Sequence, residues 1–154
     1  MGVMITPQLD YLATLTVLVG TPADIGPTPS GYRRIIPILG GTVDGPGLKG
    51  KILPHGADFQ LLKSDTLTEL EAKYAIETDG GERIYVENYG LRSGSAEDIE
   101  RLVRGESVDP ARIYFRCAPK FTASGKWEWL NSKILVGTGE RHPGSVVVNV
   151  FVVN

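Results

Sequence analysis

The sequence predicts an all-β fold, a single closed or nearly closed antiparallel β-barrel of about eight strands with one short helix. Three observations carry this. Side chains alternate in polarity with a period of two over most of the chain, most clearly from Glu69 to Thr78, where Leu70, Ala72, Tyr74, Ile76 and Thr78 face one way and Glu69, Glu71, Lys73 and Glu77 the other. Turn chemistry interrupts that alternation often, since the 154 residues include 19 glycines and 10 prolines, which cut the chain into short extended pieces. Only one segment carries helix signals.

In chain order, the extended runs are Leu9 to Val19, Tyr32 to Val43, Leu48 to Leu53, Glu69 to Thr78, Arg83 to Tyr89, Arg112 to Phe121, Trp127 to Val136 and Ser145 to Val153. Ala57 to Lys63 reads as either a short strand or a loop. Thr21-Pro22 through Ser30-Gly31, Ala123-Ser124-Gly125 and Gly137 through Gly144 read as turns or loops. Asp79-Gly80-Gly81 supplies residues that accept positive φ, so the strands on either side form a hairpin. Pro37 cannot donate to a ladder and is expected at an edge, a bulge or a break. Ser95-Ala96-Glu97-Asp98 is a capping box, Ile99, Leu102 and Val103 form one apolar stripe, and Gly105 stops the helix, which is expected to plug one end or side of the sheet. Closure follows because so many extended segments would otherwise leave exposed edges. Val146 to Val153 is apolar on both faces, which fits either an internal strand or a subunit interface, and a homo-oligomer is the preferred reading.

Several function classes are set aside. A net charge of −2 without a basic cluster argues against nucleic acid. The single cysteine, Cys117, excludes an internal disulfide and suits a reducing cytoplasm, the expected location. No signal peptide pattern and no apolar run of membrane-spanning length occurs, and the myristoylation-like start Met1-Gly2-Val3-Met4-Ile5-Thr6 is too short a pattern to rest on. Gly45-x-Gly47-x-x-Gly50 matches a dinucleotide fingerprint by letters, but Lys51-Ile52-Leu53-Pro54 follows where a helix would have to begin. His55 and His142 are the only histidines and no ligand cluster surrounds them, so no metal and no cofactor is expected. Neither a nucleophile elbow nor a phosphate-binding lysine loop is present.

The succession Gly40-Gly41, Gly45-Pro46, Gly50, Pro54, Gly56-Ala57-Asp58-Phe59, Glu71-Ala72-Lys73-Tyr74, Thr78-Asp79-Gly80, Glu87-Asn88-Tyr89-Gly90, Tyr114 to Phe121 and Trp127-Glu128-Trp129-Leu130-Asn131 resembles the uncharacterised family known as domain of unknown function 3237, or uncharacterised protein family 0311. The likeness runs through nearly the whole chain, 1–154, in order. It implies a small barrel related to the allene oxide cyclase and dirigent-type barrels, with an interior cavity, and it implies no settled reaction.

Asp58, at the end of the glycine-rich hairpin between Ala57 and Phe59, is the first candidate for acid–base work if it is desolvated, and a turn aspartate if it is not. Tyr74 lies on the apolar face of its strand, as a proton donor or as a core tyrosine. Arg116 binds a ligand carboxylate or pairs with Asp58 if its face turns inward, and is solvated if outward. Asn88 beside Val86 fits an apolar pocket with one polar handle, with Glu87 at the rim. Trp127, Trp129 and Asn131 would share one strand face, giving an aromatic wall and an orienting amide. The expected function is binding of a small, partly apolar molecule, with a cofactor-independent isomerase, cyclase or lyase as the first reading. A carrier, or an oligomeric interaction barrel with a filled interior, is the alternative.

Overall fold

In a computed structural model, which describes residues 2–154, ten strands join in one antiparallel sheet. They are β1 (Leu9–Val19), β2 (Ala23–Thr28), β3 (Gly31–Asp44), β4 (Gly50–Ile52), β5 (Gly56–Leu62), β6 (Leu67–Thr78), β7 (Arg83–Ser93), β8 (Tyr114–Thr122), β9 (Ile134–His142) and β10 (Ser145–Val153), with the helix α1 (Ala96–Val103) between β7 and β8. The sheet runs β1-β10-β9-β8-β7-β6 and returns through β4 and β5 to β3, which pairs with β1 and closes the ring. β4 and β5 share one of the eight positions: both pair with β3 on one side and β6 on the other, β5 along Lys73 to Thr68 and β4 along Thr78 to Ile76. β2 extends the ring at one rim, pairing with the first residues of β3.

Pro37 sits where the neighbour of β3 changes. β2 pairs as far as Ile35 and β1 begins at Ile38, and between them the Pro37 carbonyl accepts from Gly20 N at 2.9 Å. The missing proline N–H therefore falls at the break between two partners, where no ladder bond is lost.

Alternation sorts the side chains into lumen and exterior. On β8, Phe115, Cys117, Pro119 and Phe121 are buried while Tyr114, Arg116, Ala118 and Lys120 are exposed. The end of the barrel away from α1 is filled by Leu15, Val43, Ile52, Ile76, Ile84, Val86, Phe121, Leu135 and Val150, with Leu130 packed beneath them. At the other end α1 makes a separate small cluster through Ile99 and Leu102 with Val108. Its start is capped as the sequence predicts, Ser95 Oγ accepting from Asp98 N at 3.1 Å, and Gly105, at φ +80, follows its last turn. Outside, β1, β10 and β9 leave Leu9, Tyr11 and Ile134 exposed, with the Phe151 ring 5.8 Å from that of Tyr11.

The expected strand Trp127 to Val136 is a correction: Gly125–Ser132 is 3-10 helical, and β9 begins only at Ile134 and runs through the stretch Gly137 to His142 expected to turn. Three side-chain bonds favour the compact form, a long-range one from Trp127 Nε1 to Glu82 Oε1 at 2.9 Å and the paired amide contacts of Asn131 with Ala123. The glycines of β9 misled the reading because they are packing glycines: a Cβ at Gly139 would lie 2.7 Å from Phe115 ring atoms, and one at Gly137 would lie 2.8 Å from Cys117 Sγ. The expected loop from Pro22 contains β2, a rim strand that tolerates Pro27 at an edge. Ala57 to Lys63 resolves to the strand β5. Met1, with which the myristoylation-like pattern begins, lies outside the described residues.

Closure rests on close backbone approach at Gly41, which has φ +146 and whose added Cβ would come 2.0 Å from Thr16 O across the β1–β3 seam. Gly41→Ala is expected to lower unfolding free energy by at least about 3 kcal/mol, whereas Gly26→Ala, also at positive φ but in open space, costs about 1 kcal/mol. Urea denaturation of the two variants checks this; equal losses would mean the seam yields freely.

Candidate functional site

The lumen near α1 is built from three rows of inward side chains, set by strand register. Asp58 on β5, Ala72 on β6 and Asn88 on β7 lie directly across from one another, and the Ala72 methyl leaves open space between two polar groups. One row nearer α1 come Arg34, Gln60, Leu70, Gly90, Cys117 and Gly137. The next row holds Thr68, Arg92 and Phe115. Tyr74, one step from Ala72 toward the packed end, closes the floor.

These rows surround a cavity of about 40 Å³, lined by Asp58, Tyr74, Asn88, Phe115 and Cys117 among apolar neighbours that include Val17, Ile38, Leu70 and Val148. A water needs about 10–15 Å³ on this measure, so the space takes about three waters or part of a small organic molecule. Non-atom space including the mouth reaches about 440 Å³. A larger groove of about 400 Å³ runs between α1 and the β5–β6 turn, lined by Tyr32, Leu62, Asp65 and Glu100. The lumen is where buried polar atoms are left without partners.

Those atoms are Asp58 Oδ1, Asn88 Oδ1, Gln60 Oε1, Thr68 Oγ1, Arg34 Nε and Arg92 Nε, all buried and without a hydrogen-bond partner. Each such group costs about 1–3 kcal/mol unless something fills the gap. The other carboxylate oxygen, Asp58 Oδ2, accepts from Gln60 Nε2 at 3.0 Å. Asp58 borders the cavity, and desolvation pushes its pKa up, against the opposing pull of Gln60, Arg92, the Glu71 backbone amide and Arg141. Burial likewise raises Tyr74, which therefore stays a neutral hydroxyl, and raises the Cys117 thiol, which therefore stays unreactive. Arg92 is 2% exposed, with its guanidinium carbon 5.8 Å from the Phe115 ring centre. Burial lowers it to about 10, so it remains charged at neutral pH.

Of the sequence candidates, Asp58, Tyr74 and Asn88 meet at this cavity. Arg116 does not: it lies on the outer face of β8, over the Tyr114 ring at 5.3 Å, and donates to Phe115 O at 2.9 Å. Trp129 and Asn131 sit outside the opposite end, Trp129 exposed against Lys133 and Val152, and Asn131 holding Ala123. The sequence reading missed Arg34, Gln60, Thr68, Arg92 and Arg141. Alternation carried the signal for Arg92, two steps beyond Gly90 and four beyond Asn88 on one face, and for Gln60, two beyond Asp58. Among the described residues no three potential metal ligands come together, and no helix is long and apolar enough to cross a membrane.

The family model described as "Protein of unknown function (DUF3237)" matches residues 7–153. The chain belongs to the DUF3237 family. The UPF0311 protein RPA1785 of Rhodopseudomonas palustris is 49% identical over 148 residues, 94% of this chain and 97% of that one. Its crystal structure superimposes with a TM-score of 0.94 at 46% identity, covering 98% of this chain and all of that one. A β-barrel-like protein from Acinetobacter baumannii gives a TM-score of 0.87 at 36% identity over the full length of both chains. An enzyme from Penicillium herquei gives 0.73 at 18% identity over the full length of both, a likeness of fold alone. This DUF3237 chain is thus a closed eight-position antiparallel barrel within a family of such barrels.

Because Asp58 is raised when folded, the folded state holds its proton to higher pH than the unfolded chain does, so its contribution to stability is present below the ordinary carboxylate value of 3.8 and is lost as pH rises through the folded value. Asp58→Asn removes that loss. The melting temperature of the variant relative to the natural protein is expected to climb between acid and neutral pH; a difference that stays flat across that range would contradict a desolvated Asp58.

Proposed function

We propose that this DUF3237 barrel binds a small, partly apolar, oxygenated molecule in its lumen and acts on it as a cofactor-independent isomerase, cyclase or lyase. One observation carries the reading: two acceptors without partners, Asp58 Oδ1 and Asn88 Oδ1, border the same cavity as Tyr74. Ionised Asp58 takes a proton from carbon or oxygen of the bound molecule and returns it at a second position, so no co-reactant is needed. Tyr74, kept neutral by burial, offers a hydroxyl to the oxygen on which charge develops. Val17, Ile38, Leu70 and Val148 hold the apolar body and exclude water. That the Penicillium herquei neighbour is an enzyme supports the reading at the level of fold.

The mainly apolar lining favours a second reading, a carrier that holds the same molecule without transforming it. A homo-oligomer that covers the exposed Leu9, Tyr11 and Ile134 side belongs to the proposal, together with a cytoplasmic setting for the free Cys117. Sedimentation giving only the single-chain mass at high concentration removes the oligomer.

Small β-dicarbonyl and unsaturated carbonyl compounds incubated with the protein in heavy water decide between enzyme and carrier. Deuterium incorporation at carbon, followed by NMR, is expected with the natural protein and is expected to slow at least about a hundredfold in Asp58→Asn. Binding with no exchange would leave the carrier, and equal exchange in both proteins would remove Asp58 from the chemistry.

A further inference from the structure

The lumen holds more positive charge than its own acid answers. Arg34, Arg92 and Arg141 all point into the α1 end of the barrel, and Asp58 is the carboxylate set among them. Arg34 has a counter-ion: although its Nε makes no hydrogen bond, it forms an ion pair with Asp24 on the rim strand β2 at 3.2 Å and donates to Val103 O at the end of α1 at 3.3 Å. Arg141 is tied to the β9–β10 turn through His142 O and Ser145 O. Arg92 has neither arrangement. Its Nε is buried without a partner, it forms no ion pair among the described residues, and the charges around it are Asp58, which attracts, and Arg34 and Arg141, which repel.

A fully buried guanidinium held this way is costly, and an apolar residue of similar volume would serve packing better. Thr68 stands directly across from Arg92 on β6, 0% exposed, with its hydroxyl oxygen unpartnered, and Gln60 Oε1 on β5 is unpartnered as well. The Phe115 ring beside Arg92 is seated flat on Gly139, which has no Cβ to displace it. Gly90, between Asn88 and Arg92 on the same face of β7, lines the cavity, with Cys117 and Leu70 packed close above it.

We propose that Arg92, with Thr68 beside it, is an anion subsite that receives the carboxylate of the lumenal ligand, so that the molecule bound is an organic monoanion whose apolar part lies toward Asp58, Asn88 and Tyr74. This rests on the reading of the lumen as the binding site and adds the charge class of the ligand. A carboxylate matches a guanidinium in plane and spacing, and in a site screened from water such a pair is strong. It supplies the acceptor that Arg92 Nε lacks and the ion pair that Arg92 lacks. It also places the reacting carbons one to two rows from the anion, level with Asp58, where a general base can reach a carbon acid whose charge is steadied from the Arg92 side. Arg92 is a binding and positioning residue in this arrangement, and Asp58 remains the proton carrier.

The test compares sodium butyrate with its neutral isostere butyramide, at constant ionic strength, by NMR titration of isotope-labelled protein, reading the amides of Asn88 and Phe115 and the Arg92 Nε–H. Butyrate is expected to shift these signals with at least a roughly tenfold lower Kd than butyramide. Arg92→Gln is expected to abolish that preference, and Arg92→Lys to restore part of it. Because the comparison in the natural protein needs no variant, it decides even if Arg92→Gln folds poorly. Equal Kd values for the two probes at the lumenal signals would overturn the anion subsite while leaving the lumenal pocket standing. Butyrate shifts confined to surface arginines would overturn it too, and the absence of any lumenal shift with either probe would overturn both the subsite and the pocket.

Discussion

Pairing of β1 with β3, from Thr14 against Asp44 to Val19 against Ile38, converts a long antiparallel sheet into a ring. Everything proposed for the protein depends on that seam, because only a closed ring gives inward side chains a shared interior cut off from water. The seam makes its own demands on sequence. Gly41 must lack a side chain for the backbones to meet, and Pro37 must fall where β2 gives way to β1. β4 and β5 divide one position of the ring between them, so the short link Leu53-Pro54-His55 that joins them is a corner of the barrel, and Asp58 on β5 is delivered to its inside.

The interior is divided by polarity along the axis. The end closed by Leu130 is packed with branched aliphatic side chains and Phe121, and burial there supplies stability at about 25 cal/mol per Å² of apolar surface. The α1 end works against it, since it contains six buried polar atoms without hydrogen-bond partners and an arginine that no ion pair compensates. For Asp58 the balance of effects is instructive: two guanidinium groups and a donated hydrogen bond from Gln60 all favour the carboxylate, yet desolvation outweighs them. An acid whose proton is held by burial while cations stand nearby is suited to passing that proton to and fro.

Much of this was legible in the sequence where alternation was strict. β6 and β7 could be read residue by residue, including the inward turn of Asn88 and the outward turn of Tyr85 and Tyr89. The helix was fixed by local signals, the Ser95 cap and Gly105. Reading failed where glycine had two possible meanings. Gly137 and Gly139 looked like turn residues, but they make room for Cys117 and Phe115 across the sheet, a tertiary fact with no local trace. The error at β9 moved Trp129 and Asn131 into a strand they do not occupy and hid Arg141 in a supposed turn. Arg116 was a question of phase: the alternation of β8 was evident, but nothing local said which set faced in. Arg92 was overlooked because charge on a strand ordinarily means solvent, whereas here it continues the inward face of Ile84, Val86, Asn88 and Gly90.

The most direct test of the central claim is a crystal structure of the protein at near-atomic resolution, read for electron density inside the barrel. The account predicts ordered water or a small bound molecule in contact with Asp58 Oδ1, Asn88 Oδ1 and Arg92 Nε. A lumen without such density, in which these three side chains turn to pair directly with one another, would contradict it.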